Sequence, residues 1–146
     1  MDAQMRVLFV EDEQYLNEKL LRYIAAHGFQ VTAATTVQEA TEQLGAGGFA
    51  GVLLDVMLPL GEGQPANLSP LTGGIEVLRR LRQGEIPGAD ATLPVVCLTG
   101  RTEALVEQQL KTLGVSTFLN KPETMKAVLS ALQGALGIPT PEPSVA

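Results

Sequence analysis

Several residue types on which whole protein classes depend are scarce in this chain. One cysteine, Cys97, and one histidine, His27, leave no way to close an internal disulfide or to build a Cys/His cluster for structural zinc. Trp is absent and the aromatics amount to four Phe and two Tyr, so the core has to be aliphatic. No stretch approaches the roughly 18 uncharged apolar residues of a membrane span. The first residues, MDAQMR, lack the basic start and long apolar run of a signal peptide. Basic residues are outnumbered, ten Lys and Arg against sixteen Asp and Glu, the wrong balance for a nucleic-acid surface. The expectation is a cytoplasmic protein with no membrane and no nucleic-acid partner.

What is present fits one domain. The 146 residues match the usual length of a single domain, and a hydrophobic fraction of 45% supports a core without staples. Short apolar runs alternate with helical periodicity. Arg6–Val10, Gln30–Ala34, Val52–Leu54, Pro94–Leu98 and Thr117–Leu119 read as strands. Between and after them, helices are expected over Gln14–His27, Thr36–Leu44, Ile75–Leu81, Ala104–Leu113 and Glu123–Leu136. Thr36 and Glu39 have the spacing of a capping box, Gly28 and Gly114 stand where helix-ending glycines belong, and Met125, Val128, Leu129, Leu132 and Leu136 mark the buried face of the last helix. His27 reads as an exposed residue at a helix end, and Cys97 as buried core. The domain is expected over 1–138. The tail, 139–146, carries Pro139, Pro141 and Pro143 and is expected to be disordered.

Five βα units in succession imply an α/β fold, a doubly wound parallel sheet with helices on both faces and right-handed crossovers. In such sheets ligands bind beyond the carboxyl ends of the strands. Those ends carry Glu11-Asp12 after the first strand, Asp55 after the third, Thr99 after the fourth and Lys121-Pro122 after the fifth. Crowding three carboxylates is costly unless a cation neutralises them, and oxygen ligands without His or Cys suit Mg²⁺. A carboxylate facing a metal-bound phosphoryl donor can act as the nucleophile, with an ammonium and a hydroxyl to meet the charge. Asp55, Asp12, Lys121 and Thr99 fill those roles. Singly, each is equally at home in a structural one, Glu11-Asp12 as a helix cap for instance. It is the conjunction that points to a site.

The segments VLFVEDE, GVLLDVMLP, PVVCLTG and STFLNKP together resemble the receiver domains of two-component response regulators, of the stand-alone, chemotaxis-regulator-like kind, over about residues 5 to 136. The resemblance implies a five-stranded (βα)5 sheet in the flavodoxin-like order 2-1-3-4-5. It implies that Glu11 and Asp12 are the acidic pair that helps bind Mg²⁺, that Asp55 is the phosphoacceptor, and that Met57 offers a backbone carbonyl to the metal. Thr99 and Lys121 would contact the phosphoryl group, the Lys121–Pro122 peptide would be cis, and Thr99 and Phe118 would form the switch. Implied partners are a histidine kinase or histidine phosphotransfer protein, and a second copy through the face of the fourth helix, fifth strand and fifth helix, around residues 103–130. Such a protein is expected to be no enzyme beyond its own phosphorylation and dephosphorylation, with no room for an output domain expected within the 146 residues. The alternatives are a degenerate receiver serving only as an interaction module, and a phosphatase with an aspartyl nucleophile. The latter expects Asp-x-Asp after the strand, where Met57 supplies no general acid.

One departure stands out. The segment 56–73 (VMLPLGEGQPANLSPLTG) is longer than the short loop the resemblance implies, rich in Gly and Pro, and beside Asp55. Gating access to Asp55, selecting a kinase or partner, and a tolerated insertion are all open to it. A smaller excess at Gly84–Thr92 reads as neutral. Gly100 leaves the pocket open beside Thr99, and Met57 and Arg101 flank the approach of water.

Overall fold

A computed structural model describes residues 5–13, 18–100, 103–121 and 123–138. Its strands are β1 (Met5–Val10), β2 (Phe29–Ala34), β3 (Gly51–Asp55), β4 (Val95–Thr99) and β5 (Thr117–Asn120). The helices are α1 (Glu18–Ala26), α2 (Val37–Ala46), α3 (Gly73–Arg82), α4 (Ala104–Thr112) and α5 (Met125–Ala135), with one 3₁₀ turn at Pro70–Thr72. All five strands are parallel, in the order β2-β1-β3-β4-β5. This is the expected fold. Residues 14–17, where the first helix was expected to begin with Tyr15 and Leu16, lie outside the described residues, as do the 139–146 tail, Arg101 and Pro122 with its peptide bond.

The sheet sorts its side chains by the two-residue period of a strand. Leu8, Val10, Val52, Leu54, Val95 and Cys97 point to one face and are covered by α2, α3 and α4. Val7, Phe9, Leu53, Val96 and Leu98 point to the other, under α1 and α5. Because β1, β3 and β4 are buried on both faces, their sequences read as continuous apolar runs rather than alternating ones. Cys97 is fully buried, and burial, with the nearby Asp55 charge, pushes its thiol up to about 12, so it behaves as a core side chain. Exposed His27 donates from Nδ1 to the Tyr23 carbonyl (2.7 Å).

Helix ends follow local chemistry. Thr36 caps α2, its hydroxyl accepting from Glu39 N–H (3.0 Å). Glu39 reaches back one residue further than a capping box requires, to Thr35 N–H (2.8 Å) and the Thr35 hydroxyl. Past α4, Gly114 takes φ of +71°, which lets Val115 N–H close onto Leu110 O (3.1 Å). Thr124 caps α5 and so starts that helix at Met125. Met125 consequently lies in the first turn, 40% exposed, and is not on the buried face that its spacing suggested. Gly84–Thr92 is less neutral than expected. Arg82 donates to Ala91 O, Leu93 O, Leu113 O and Gly114 O at 2.8–3.0 Å, and thereby fastens this segment to the α4–β5 turn.

The approach of α3 to β3 decides where the site can form. A Cβ at Gly74 would stand 1.9 Å from Asp55 O, and one at Gly73 would stand 2.3 Å from Leu58 O. Gly74 N–H also donates to Val56 O (2.8 Å). Gly74→Ala is therefore expected to destabilise the domain by about 3 kcal/mol, the upper end of what overpacking costs. Urea unfolding would show it as a lowered midpoint at unchanged slope.

Candidate functional site

Three of the four polar strand ends meet in one cleft. Val10 pairs with Leu54, and Asp55 with Leu98, so the ends of β1, β3 and β4 lie level across the sheet. Glu11 leaves β1 with its N–H on Ala34 O (3.0 Å), which holds the turn against the end of β2. Asp55 is the last residue of β3, and Met57 N–H donates to its Oδ1 (3.2 Å). Lys121 follows β5, and its N–H donates to Thr99 O (2.7 Å). A cleft of about 270 Å³ results, lined by Glu11, Asp12, Glu13, Asp55, Met57, Gly100 and Lys121, together with Leu58, Pro59, Pro70 and Leu71 from segment 56–73.

Electrostatics hold the cleft together. Lys121 Nζ donates to Glu11 Oε2 and to Asp55 Oδ2, each at 2.7 Å. Glu11 is 1% exposed and Asp55 5%, so the ammonium compensates two carboxylates that have lost most of their water. Burial works against the charge on Lys121, but its hydrogen bonds to Asp55 and Glu11 outweigh that and raise its pKa. Burial is also the largest influence on Glu11, followed by its hydrogen-bonded neighbour Asp55, and the carboxyl titrates above its usual 4.5 despite Lys121. Asp12 is raised above 3.8 by burial and by Glu11.

The donor set fits a hard divalent ion. One carboxylate oxygen from each of Glu11, Asp12 and Asp55 lies within 4.8 Å of the others. Oxygens on opposite sides of an octahedral Mg²⁺ are about 4.2 Å apart, so small side-chain shifts would bring all three into one shell. Gly100 leaves its side of the cleft open, since a Cβ there would meet nothing within 4 Å.

Of the residues predicted from sequence, Glu11, Asp12, Asp55, Met57 and Lys121 line the cleft. Thr99 is buried at the end of β4 and touches the group through its carbonyl bond to Lys121, while its side chain is not part of the cleft wall. Phe118 is set apart on β5, half-buried against the α2–α3–α4 side, with Lys111 Nζ 6.0 Å from its ring centre. Sequence reasoning missed the apolar side of the cleft. The length of 56–73 flagged the segment, but nothing in its pattern singled out Pro70 and Leu71.

The family model described as "Response regulator receiver domain" matches residues 7–133. Over 130 residues the chain is 32% identical to the uncharacterized transcriptional regulatory protein YkoG of Bacillus subtilis, covering 89% of this chain and 50% of that protein. Response regulator MprA of Mycolicibacterium vanbaalenii is 28% identical over 138 residues, covering 94% and 53%. The chain thus spans about half the length of the curated relatives it matches. Among solved structures, a CheY-like receiver domain protein from Methanospirillum hungatei superposes with a TM-score of 0.76 at 18% identity, covering 92% of this chain and 95% of that one. The non-phosphorylated HemR receiver domain from Leptospira biflexa gives 0.74 at 26%, covering 96% and 100%.

The raised carboxyls have a consequence for the metal-free protein. The folded chain keeps protons that the unfolded chain has already released. The crowding therefore costs nothing in acid, below the unfolded values, and its cost appears as pH rises through the folded ones. Without divalent ions, Asp12→Asn should unfold at higher urea than the parent at about pH 7, with the gap closing towards about pH 4. Midpoints that stay parallel across that range would contradict the crowding.

Proposed function

The chain belongs to the response regulator receiver domain family, and from that premise we propose that Asp55 accepts a phosphoryl group from a histidine kinase or histidine phosphotransfer protein, with Mg²⁺ bound beside it. The observation that carries this reading is the buried Asp55 carboxylate, held by Lys121 at 2.7 Å with Glu11 and Asp12 in the same open cleft. In the transfer, one Asp55 oxygen forms the new bond to phosphorus as the phosphorus–nitrogen bond of the donor histidine breaks. Lys121, already oriented by two carboxylates, meets the negative charge of the transferring oxygens. Thr99, buried at the neighbouring strand end, is the residue whose hydroxyl the family resemblance assigns to the bound group. Glu11, Asp12, Asp55 and the Met57 carbonyl would hold the metal, which when bound neutralises the carboxylates and the incoming phosphate.

Signalling then passes by protein–protein contact, in the cytoplasm, with no turnover of a free substrate. The face formed by α4, β5 and α5 is the surface for an effector or a second copy. Within it β5 is only half-buried, and Met125 is exposed in the first turn of α5.

Incubation with acetyl phosphate and Mg²⁺ should add one phosphoryl mass, labile in base and absent in Asp55→Asn. No adduct would favour a pure interaction module, and steady hydrolysis of phosphate esters would favour a phosphatase. Independently, Mg²⁺ at a hundred times its dissociation constant should stabilise the domain by about 2.7 kcal/mol. Thermal unfolding with and without chelator measures this, and Asp12→Asn should lose most of the gain.

A further inference from the structure

The walls of the cleft differ in character. Glu11, Asp12, Glu13, Asp55 and Lys121 bring charge, and Gly100 brings no side chain. The apolar lining comes from the lengthened segment, as Met57, Leu58, Pro59, Pro70 and Leu71. Met57 and Leu71 are two of the five large hydrophobic side chains exposed among the described residues, 45% and 52% respectively. Leaving both in water at the mouth of one cleft forgoes burial that the core would reward.

The wall is also fixed. Leu58 N–H donates to Pro70 O (2.8 Å), Leu71 N–H to the Ser69 hydroxyl (3.2 Å), and Thr72 N–H to Ser69 O (3.1 Å). The anchor beneath it, Val56 and Leu58, is buried in the core. Bonds at both ends of the segment set Leu71 at the cleft instead of letting it swing with a loose loop.

We propose that the 3₁₀ turn Pro70–Thr72 is a water-excluding wall of the phosphoryl site, with Leu71 the side chain that lengthens the life of the Asp55 acyl phosphate. This rests on the phosphoacceptor reading and deepens it. Loss of the phosphoryl group by hydrolysis needs a water oxygen to bond to phosphorus as the phosphorus–carboxylate bond breaks. Asp55 keeps the bonding pair as carboxylate, and inorganic phosphate and a proton leave. An apolar side chain at the rim lowers the occupancy of attacking water without touching the metal ligands.

The test compares the parent with Leu71→Ser and Leu71→Met, each loaded with acetyl phosphate and Mg²⁺ and then freed of donor. Loss of the adduct is followed by intact mass. Leu71→Ser should decay at least about threefold faster, with Leu71→Met close to the parent and Mg²⁺ affinity unchanged in both. Equal decay of parent and Leu71→Ser overturns the wall. Equal acceleration in both variants, or a parallel fall in Mg²⁺ affinity, overturns it as well, since the effect would then lie in the backbone or the metal. A parent that takes no phosphoryl group overturns the phosphoacceptor reading and this inference with it, whereas an adduct indifferent to Leu71 overturns this inference alone.

Discussion

Lys121 holds Glu11 and Asp55 at 2.7 Å each, and the three residues stand at the ends of β1, β3 and β5, which are far apart in the chain. Keeping that arrangement requires three parallel strands to end at one level, and the sheet order puts β4 between two of them. The short edge strand β5 meets the requirement through the bond from Lys121 N–H to Thr99 O, which joins backbone and side chain to one position. Removing the ammonium would leave two nearly dry carboxylates beside a third, an arrangement that costs several kcal/mol in real proteins. The fold and the site therefore constrain each other: the sheet gathers the charges, and the charges fix where the strands stop.

Around that centre the two faces of the sheet do different things. The α1–α5 face is filled by one cluster of aliphatic side chains around Phe9 and Phe29. The other face has to accommodate both the close approach of α3 at Gly73-Gly74 and the longer segment that leads into it. The glycines let α3 press against the backbone of Asp55 and Leu58, and Leu58, Pro59, Pro70 and Leu71 of the segment line the cleft.

Much of this was legible in the residues. The buried runs of β1, β3 and β4, the strand-end carboxylates and Lys121 were all marked by pattern, since both the parallel sheet and the ligand rule act on short sequence distances. Element ends were less legible where capping decided them. Thr124 starts α5 at Met125, which exposes a residue whose spacing placed it inside, and Glu39 chose Thr35 over Thr36. The cleft contacts of Pro70 and Leu71 and the four-carbonyl grip of Arg82 were invisible, because both depend on partners brought together only by tertiary packing.

The segment also touches α2, with a consequence for any attempt to redesign the domain. Pro59 O and Leu60 O accept the N–H groups of Val37 and Gln38 at 2.9 and 3.0 Å, and the Gln38 side chain returns a bond to Glu62 N–H (2.7 Å). Those two N–H groups open α2, where no intrahelical acceptor exists, and Thr36 supplies only the next one. Trimming the segment to ordinary length would thus orphan the start of a helix on the far side of the loop. Segment and helix are joined as one hydrogen-bonded unit, and a graft that moves one has to carry the other.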